Sequence, residues 1–102
     1  MELNGKEYKI SFDINSGCDL EEKSGKSIGS IVNDALTNLS LTSNRLILWG
    51  ALRKNYPDLT LSDVGELLNG ADRVEVLNTC IGEMKNAGFF GKAVKEPPKK
   101  KV

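Results

Sequence analysis

Fourteen carboxylates, fourteen basic side chains and two cysteines make up the reactive inventory of this 102-residue chain, and histidine is absent. Without imidazole the commonest general base is missing, along with Ser/His and Cys/His nucleophile pairs and most zinc and iron sites. Cys18 and Cys80 stand far apart and fit no metal or redox spacing, so they read as small, reduced hydrophobes. Asp13-x-Asn15-x-Gly17 has the outline of a calcium loop. Cys18, however, occupies the place of the sharp-turn glycine and Ser24 that of the bidentate glutamate, so a solvated helix start is the better reading. Gly25-Lys26-Ser27 matches the end of a phosphate-binding loop, yet Leu20 stands where the first glycine belongs and no core strand precedes it. Asn38-Leu39-Ser40 fits the glycosylation pattern, which matters only in a secreted protein. Lys99-Lys100-Lys101 is a short charge run and reads as a solubilising end. No catalytic, cofactor-binding or metal-ligating residue is assigned, and no enzyme is expected.

The elements that would carry these residues are mainly helical. Leu41 to Tyr56 is apolar on nearly every side of a helical wheel, through Leu46, Ile47, Leu48, Trp49, Ala51, Leu52 and Tyr56. A helix of that kind must be enclosed by its neighbours. It holds the only tryptophan, a natural centre for a small core. Thr42 or Ser43 would cap its start, and Pro57 would end it.

Around it, Asn4-Gly5 is the favoured pair for a type I′ turn, and Tyr8, Ile10 and Phe12 alternate with Lys9 and Ser11 like a strand with one buried face. This predicts an N-terminal β-hairpin. Ile14 to Ser24 has helical spacing at Ile14, Cys18 and Glu21-Glu22, with Gly25 as a stop and Gly17 weakening its middle. From Ser27, the residues Ile28, Ile31, Val32, Ala35, Leu36 and Leu39 share one face. Thr60 with Asp63 opens a further helix, with Leu61, Val64, Leu67 and Leu68 as its stripe and Asn69-Gly70 at its end. A last helix begins near Ala71 or Asp72. It turns Val74, Leu77, Cys80, Ile81, Met84 and Ala87 to one side and stops at Gly88.

The expected fold is thus a small bundle of four to five helices with an N-terminal β-hairpin, one domain over residues 1–91, followed by a disordered tail over 92–102 with Pro97-Pro98. The predicted core comprises Ile31, Leu36, Leu48, Trp49, Leu52, Tyr56, Leu67, Leu77 and Ile81. The tail carries a net +4, leaving −4 on the body, which is a poor balance for a nucleic-acid surface. No apolar run approaches the roughly 18 residues of a membrane span, and no signal peptide is recognised, so a cytoplasmic location is expected. Phe89 and Phe90, just past the last helix, either complete the core or meet a neighbouring subunit or client together with Met84 and Ala87. Residue chemistry alone arrives at a small helical interaction module.

Three strings add to that reading. They are Leu3-Asn4-Gly5-Lys6-Glu7-Tyr8, then Leu48-Trp49-Gly50-Ala51-Leu52 followed by Tyr56-Pro57-Asp58-Leu59-Thr60-Leu61-Ser62-Asp63-Val64, and Ala87-Gly88-Phe89-Phe90-Gly91-Lys92. In their order and spacing, across most of residues 3–92, they resemble the small tail assembly chaperones of long, flexible-tailed bacteriophages and of prophages in Gram-positive bacteria. The segment with Gly17 and Cys18 departs from the family's plainer first helix. The resemblance implies a largely helical, non-enzymatic protein of the host cytoplasm, absent from the mature virion. Such a protein coats the tape measure protein, keeps it soluble, and gives way when tail tube protein polymerises. It also implies self-assembly into rings or spirals and a longer product made by programmed frameshifting. Lys99-Lys100-Lys101 is compatible with an adenine run in the message. Two alternatives stand beside it. One is a small nucleic-acid-binding regulator using the tail with Arg45, Arg53 and Lys54, and the other is a structural tail or connector component.

Overall fold

The computed structural model describes residues 1–91, and the expected disordered tail lies outside the described residues. Within them the chain is mainly helical, with a two-stranded antiparallel hairpin and five helices. Strands β1 (Glu2–Leu3) and β2 (Lys6–Glu7) pair with Leu3 opposite Lys6. Asn4 and Gly5 both take positive φ, 55° and 81°, the requirement of a type I′ turn. The hairpin is held on the bundle by burial of Leu3 and by Asn4, whose Nδ2 donates to the Leu67 carbonyl at 3.3 Å.

Of the expected strand over Tyr8–Phe12 only Tyr8 continues the hairpin. Its N–H donates to the Met1 carbonyl at 2.7 Å, and its carbonyl accepts from the Met1 amino group at 2.9 Å. Lys9 to Phe12 is a connection without a sheet partner. Its polar groups go to the C-terminal end of the central helix. Ser11 N–H donates to the Ala51 carbonyl at 2.9 Å, Lys9 N–H donates to Tyr56 Oη at 2.9 Å, and Asn55 Nδ2 donates to the Lys9 carbonyl at 3.2 Å. Backbone groups satisfied in this way need no second strand. The alternation survives as burial of Phe12 and an edge-on contact of Tyr8 with Tyr56.

Helices α1 (Ile14–Ser24), α2 (Ile28–Leu36), α3 (Leu41–Leu52), α4 (Leu61–Asn69) and α5 (Arg73–Asn86) each start at an oxygen-bearing cap: Asp13, Ser27, Ser40, Thr60 and Asp72. Those side chains accept hydrogen bonds from amides that have no partner inside the helix. For α3 the cap is Ser40, not Thr42 or Ser43, and the helix ends at Leu52 rather than running to Tyr56. Asn55 and Tyr56 N–H both turn back to the Leu52 carbonyl, which frees these side chains to hold the 8–12 segment. Gly25 (φ 73°) closes α1, and Gly88 (φ 85°) closes α5. Beyond Gly88, Phe89 N–H returns to the Met84 carbonyl at 3.1 Å and Gly88 N–H to that of Lys85 at 3.0 Å, the Schellman arrangement.

The enclosed helix is α3, as expected. It touches all four other helices and buries Leu46, Ile47, Leu48, Ala51 and Leu52. Its Gly50 lets Leu20 of α1 approach so closely that a Cβ there would lie 2.7 Å from Leu20 Cδ2. Trp49 is not the centre of the core. It is half-buried, with Lys23 Nζ 5.5 Å and Arg53 Cζ 5.1 Å from its ring centroid. Fully buried aliphatic chains fill the middle instead, among them Leu20, Ile31, Ile47 and Leu48 with Met84.

Of the other predicted core residues, Ile31, Leu48, Leu52 and Leu77 are buried, while Tyr56, Leu67 and Ile81 pack half-buried against the core. Leu36 is corrected: it is 48% exposed, because α2 presents Ile31 and Ala35 to α3 and carries Leu36 past the edge of the contact. Ile14 and Cys18 likewise face outward, since α1 turns Ser16, Gly17 and Leu20 inward. On α5, Val74 is exposed and Val76 is buried in its stead.

Candidate functional site

The predicted assembly or client surface at the end of α5 does not come together as one patch. Met84 is fully buried and Ala87 half-buried. The hydrogen bond that closes α5 swings Phe89 inward, where its ring meets Phe12 edge-on at 5.4 Å and lies across Gly17 of α1. A Cβ on Gly17 would stand 3.0 Å from Phe89 Cζ, so the glycine that weakens the first helix by propensity is the seat of an aromatic ring. Phe90, the next residue, is 41% exposed. The two adjacent aromatics therefore divide: Phe89 packs against the core, and Phe90 alone of the four named residues faces solvent.

Further exposed apolar side chains lie at the corner between α2 and α3. Leu36, Leu39 and Leu41 are all exposed there, on the two sides of the Ser40 cap, with Leu39 held at φ 54° by the turn. Leu41 continues into a groove bordered by α4 and the first turn of α5, lined by Leu68, Arg45 and Arg73. The sequence carries only faint signals of this surface. Its periodicity places Leu36 and Leu39 in a buried stripe, and nothing in the spacing links Arg45 to Arg73.

Elsewhere, some charged groups pair off. Arg53 bonds Asp19, and Lys54 Nζ lies 3.0 Å from Asp13 Oδ2. Of the basic trio proposed for nucleic acid, two are thus neutralised, and the tail lies outside the described residues. The residues of the calcium-like and phosphate-like strings do other work. Asp13 Oδ1 accepts from Ser16 N–H at 2.8 Å as the α1 cap. That bond, with Lys54 beside it, lowers the Asp13 carboxyl from 3.8 to about 2. Lys26 Nζ reaches Asp34 at 2.8 Å and holds that carboxyl below its usual range. Cys18 is exposed, while Cys80 is buried and its thiol is pushed up to about 12, by burial first and by the neighbouring Glu83 second.

Among the described residues no group of three or more acidic, cysteine or histidine side chains could hold a metal ion. No described helix is long and apolar enough to cross a membrane. The exposed groups singled out by their surroundings are Leu36, Leu39, Leu41 and Phe90, with Arg45 and Arg73 beside Leu41. Comparison with protein-family models, with curated proteins and with solved structures finds no match.

Proposed function

We propose that this chain is a non-enzymatic tail assembly chaperone that binds the tape measure protein and keeps it soluble while a phage tail is built. The observation that carries this reading is the surplus of exposed apolar side chains, Leu36, Leu39, Leu41 and Phe90 together with Ile14 and Val74, on a body whose core is complete around α3. Exposed leucines and phenylalanine of this kind mark surfaces for apolar helical partners. The three ordered strings between Leu3 and Lys92 supply the resemblance. The hydrophobic seat of Phe89 and the turn at Asn4–Gly5 give two of those strings a structural purpose. On this reading the protein works in the host cytoplasm at many copies per client, alone or with a frameshift-extended form. It assembles with itself as a ring or spiral, and it leaves before the virion matures.

Co-expression with the tape measure protein of the same genome tests the proposal. The expected result is a soluble complex that co-purifies, with the tape measure protein insoluble when expressed alone. A tape measure protein that is equally soluble alone and never co-purifies overturns it. Retention in purified virions would favour a structural tail component instead. Binding to duplex DNA that weakens steeply with salt would favour a regulator.

A further inference from the structure

Of the chain's three arginines, Arg53 is paired, whereas Arg45 and Arg73 have no carboxylate partner among the described residues. Both line the same groove of about 230 Å³, between the start of α3, the end of α4 and the first turn of α5. Leu41, 64% exposed, and Leu68 form its apolar wall. On the other side of Arg45 a second groove of about 270 Å³ runs between Leu46, Leu61 and Lys23. Thr42 and Arg45 line both, so the two make one trough across the start of α3.

Arg45 is set into this trough. Its stem lies over Gly65, where a Cβ would stand 3.3 Å from Arg45 Cδ, and its Nε is buried with no acceptor. Several carboxylates of the flanking elements are engaged elsewhere. Asp34 holds Lys26, Asp63 and Asp72 cap α4 and α5, and Glu21 accepts from Ile28 N–H. With its Nε sealed and unpartnered, the guanidinium charge is left uncompensated, and an incoming carboxylate would pair with that charge where Arg45 lines the grooves.

We infer that this trough binds an α-helical segment of a partner protein bearing an aliphatic stripe flanked by carboxylates. The leucines take the stripe as in helix-in-groove recognition, and Arg45 and Arg73 take the acids. A nucleic acid fits less well, because the walls mix four leucines with their basic residues, include no aromatic side chain, and belong to a body with a net charge of −4. The inference deepens the chaperone reading and rests on it for the partner being a helical client, but the charge preference of the trough stands independently.

Two labelled helical peptides of about five turns provide the probe. They share one leucine stripe and differ only in carrying glutamate or lysine beside it. Fluorescence anisotropy with the full chain should show the glutamate peptide binding at least about tenfold tighter at low salt, a difference of about 1.4 kcal/mol that shrinks as salt is added. Arg73→Ala, at an exposed position, and the double change Arg45→Ala with Arg73→Ala should remove the preference, while Lys85→Ala should leave it. Equal affinities, or a preference that survives both arginine variants, overturn the inference. So does a free chain that self-associates through these arginines, which would make a second copy the occupant. Displacement of the glutamate peptide by duplex DNA with the same arginine dependence also overturns it. Retained peptide preference without tape measure co-purification would defeat the chaperone reading alone. Co-purification undiminished in the double variant would defeat the trough alone.

Discussion

At Gly50 a single missing methyl sets the distance between two helices. Leu20 occupies the space a Cβ would fill, and both residues are buried, so neither has room to move aside. Gly50→Ala is therefore expected to destabilise by about 1–3 kcal/mol, the usual cost of overpacking. Gly82 is the control: it sits on the exposed side of α5, where an added Cβ would meet nothing within 4 Å. Gly82→Ala should stabilise by about 0.5–1 kcal/mol through helix propensity, and urea denaturation of both variants would show the opposite signs. Asp13 gives a pH signature. Its folded carboxyl is lowered from 3.8 to about 2, so its contribution is complete above 3.8 and disappears as pH falls towards 2. Asp13→Asn keeps a capping oxygen but loses the charge facing Lys54, and it should flatten the stability profile across that window. Gly17 shows how far a sequence can be read at this scale. Its cost to the helix is visible in the chain, but the ring that requires it belongs to Phe89, at the far end of the folded body.

Several helix boundaries were legible because their causes are local, although both ends of α3 fell earlier than expected, at the Ser40 cap and at Leu52. Thr60 and Asp63 form a reciprocal capping box, and Gly25 and Gly88 take the left-handed conformation at two ends. Thr60→Ala should accordingly cost about 1 kcal/mol, measured as a lowered urea midpoint with an unchanged slope. The faces of the helices were less legible. A broad apolar stripe has edges, and whether an edge residue is covered depends on where the neighbouring helix crosses. Leu36, Ile14 and Val74 fall outside the crossing with α3, while Val76 falls inside it. The same logic separates the adjacent aromatics. The turn after α5 sends Phe89 onto Phe12 and Gly17 and leaves Phe90 outside. Phe89→Ala should destabilise by about 1–3 kcal/mol, less than full burial would give. Phe90→Ser should leave the unfolding midpoint within about 0.5 kcal/mol of the parent while weakening any assembly it supports.

At the scale of the molecule, the enclosed central helix followed directly from its all-round apolar pattern, whereas the trough did not. Its walls come from Leu41, Arg45, Leu68 and Arg73 on three helices, and only the folded arrangement sets them side by side. The same enclosure should make the bundle unfold as one cooperative unit, and the two cysteines are placed to report on it. Cys18 is exposed on α1, whereas Cys80 is fully buried in α5 with its thiol raised from 9.0 to about 12. In the native state iodoacetamide should alkylate one thiol per chain promptly. Cys80 should wait for global opening, about a thousandfold or more slower at a stability of roughly 5 kcal/mol. Urea below the midpoint should then accelerate Cys80 labelling with the same denaturant dependence as equilibrium unfolding followed by circular dichroism. A much shallower dependence would mean that α5 lifts off by itself, and α3 would then not be enclosed by a single core.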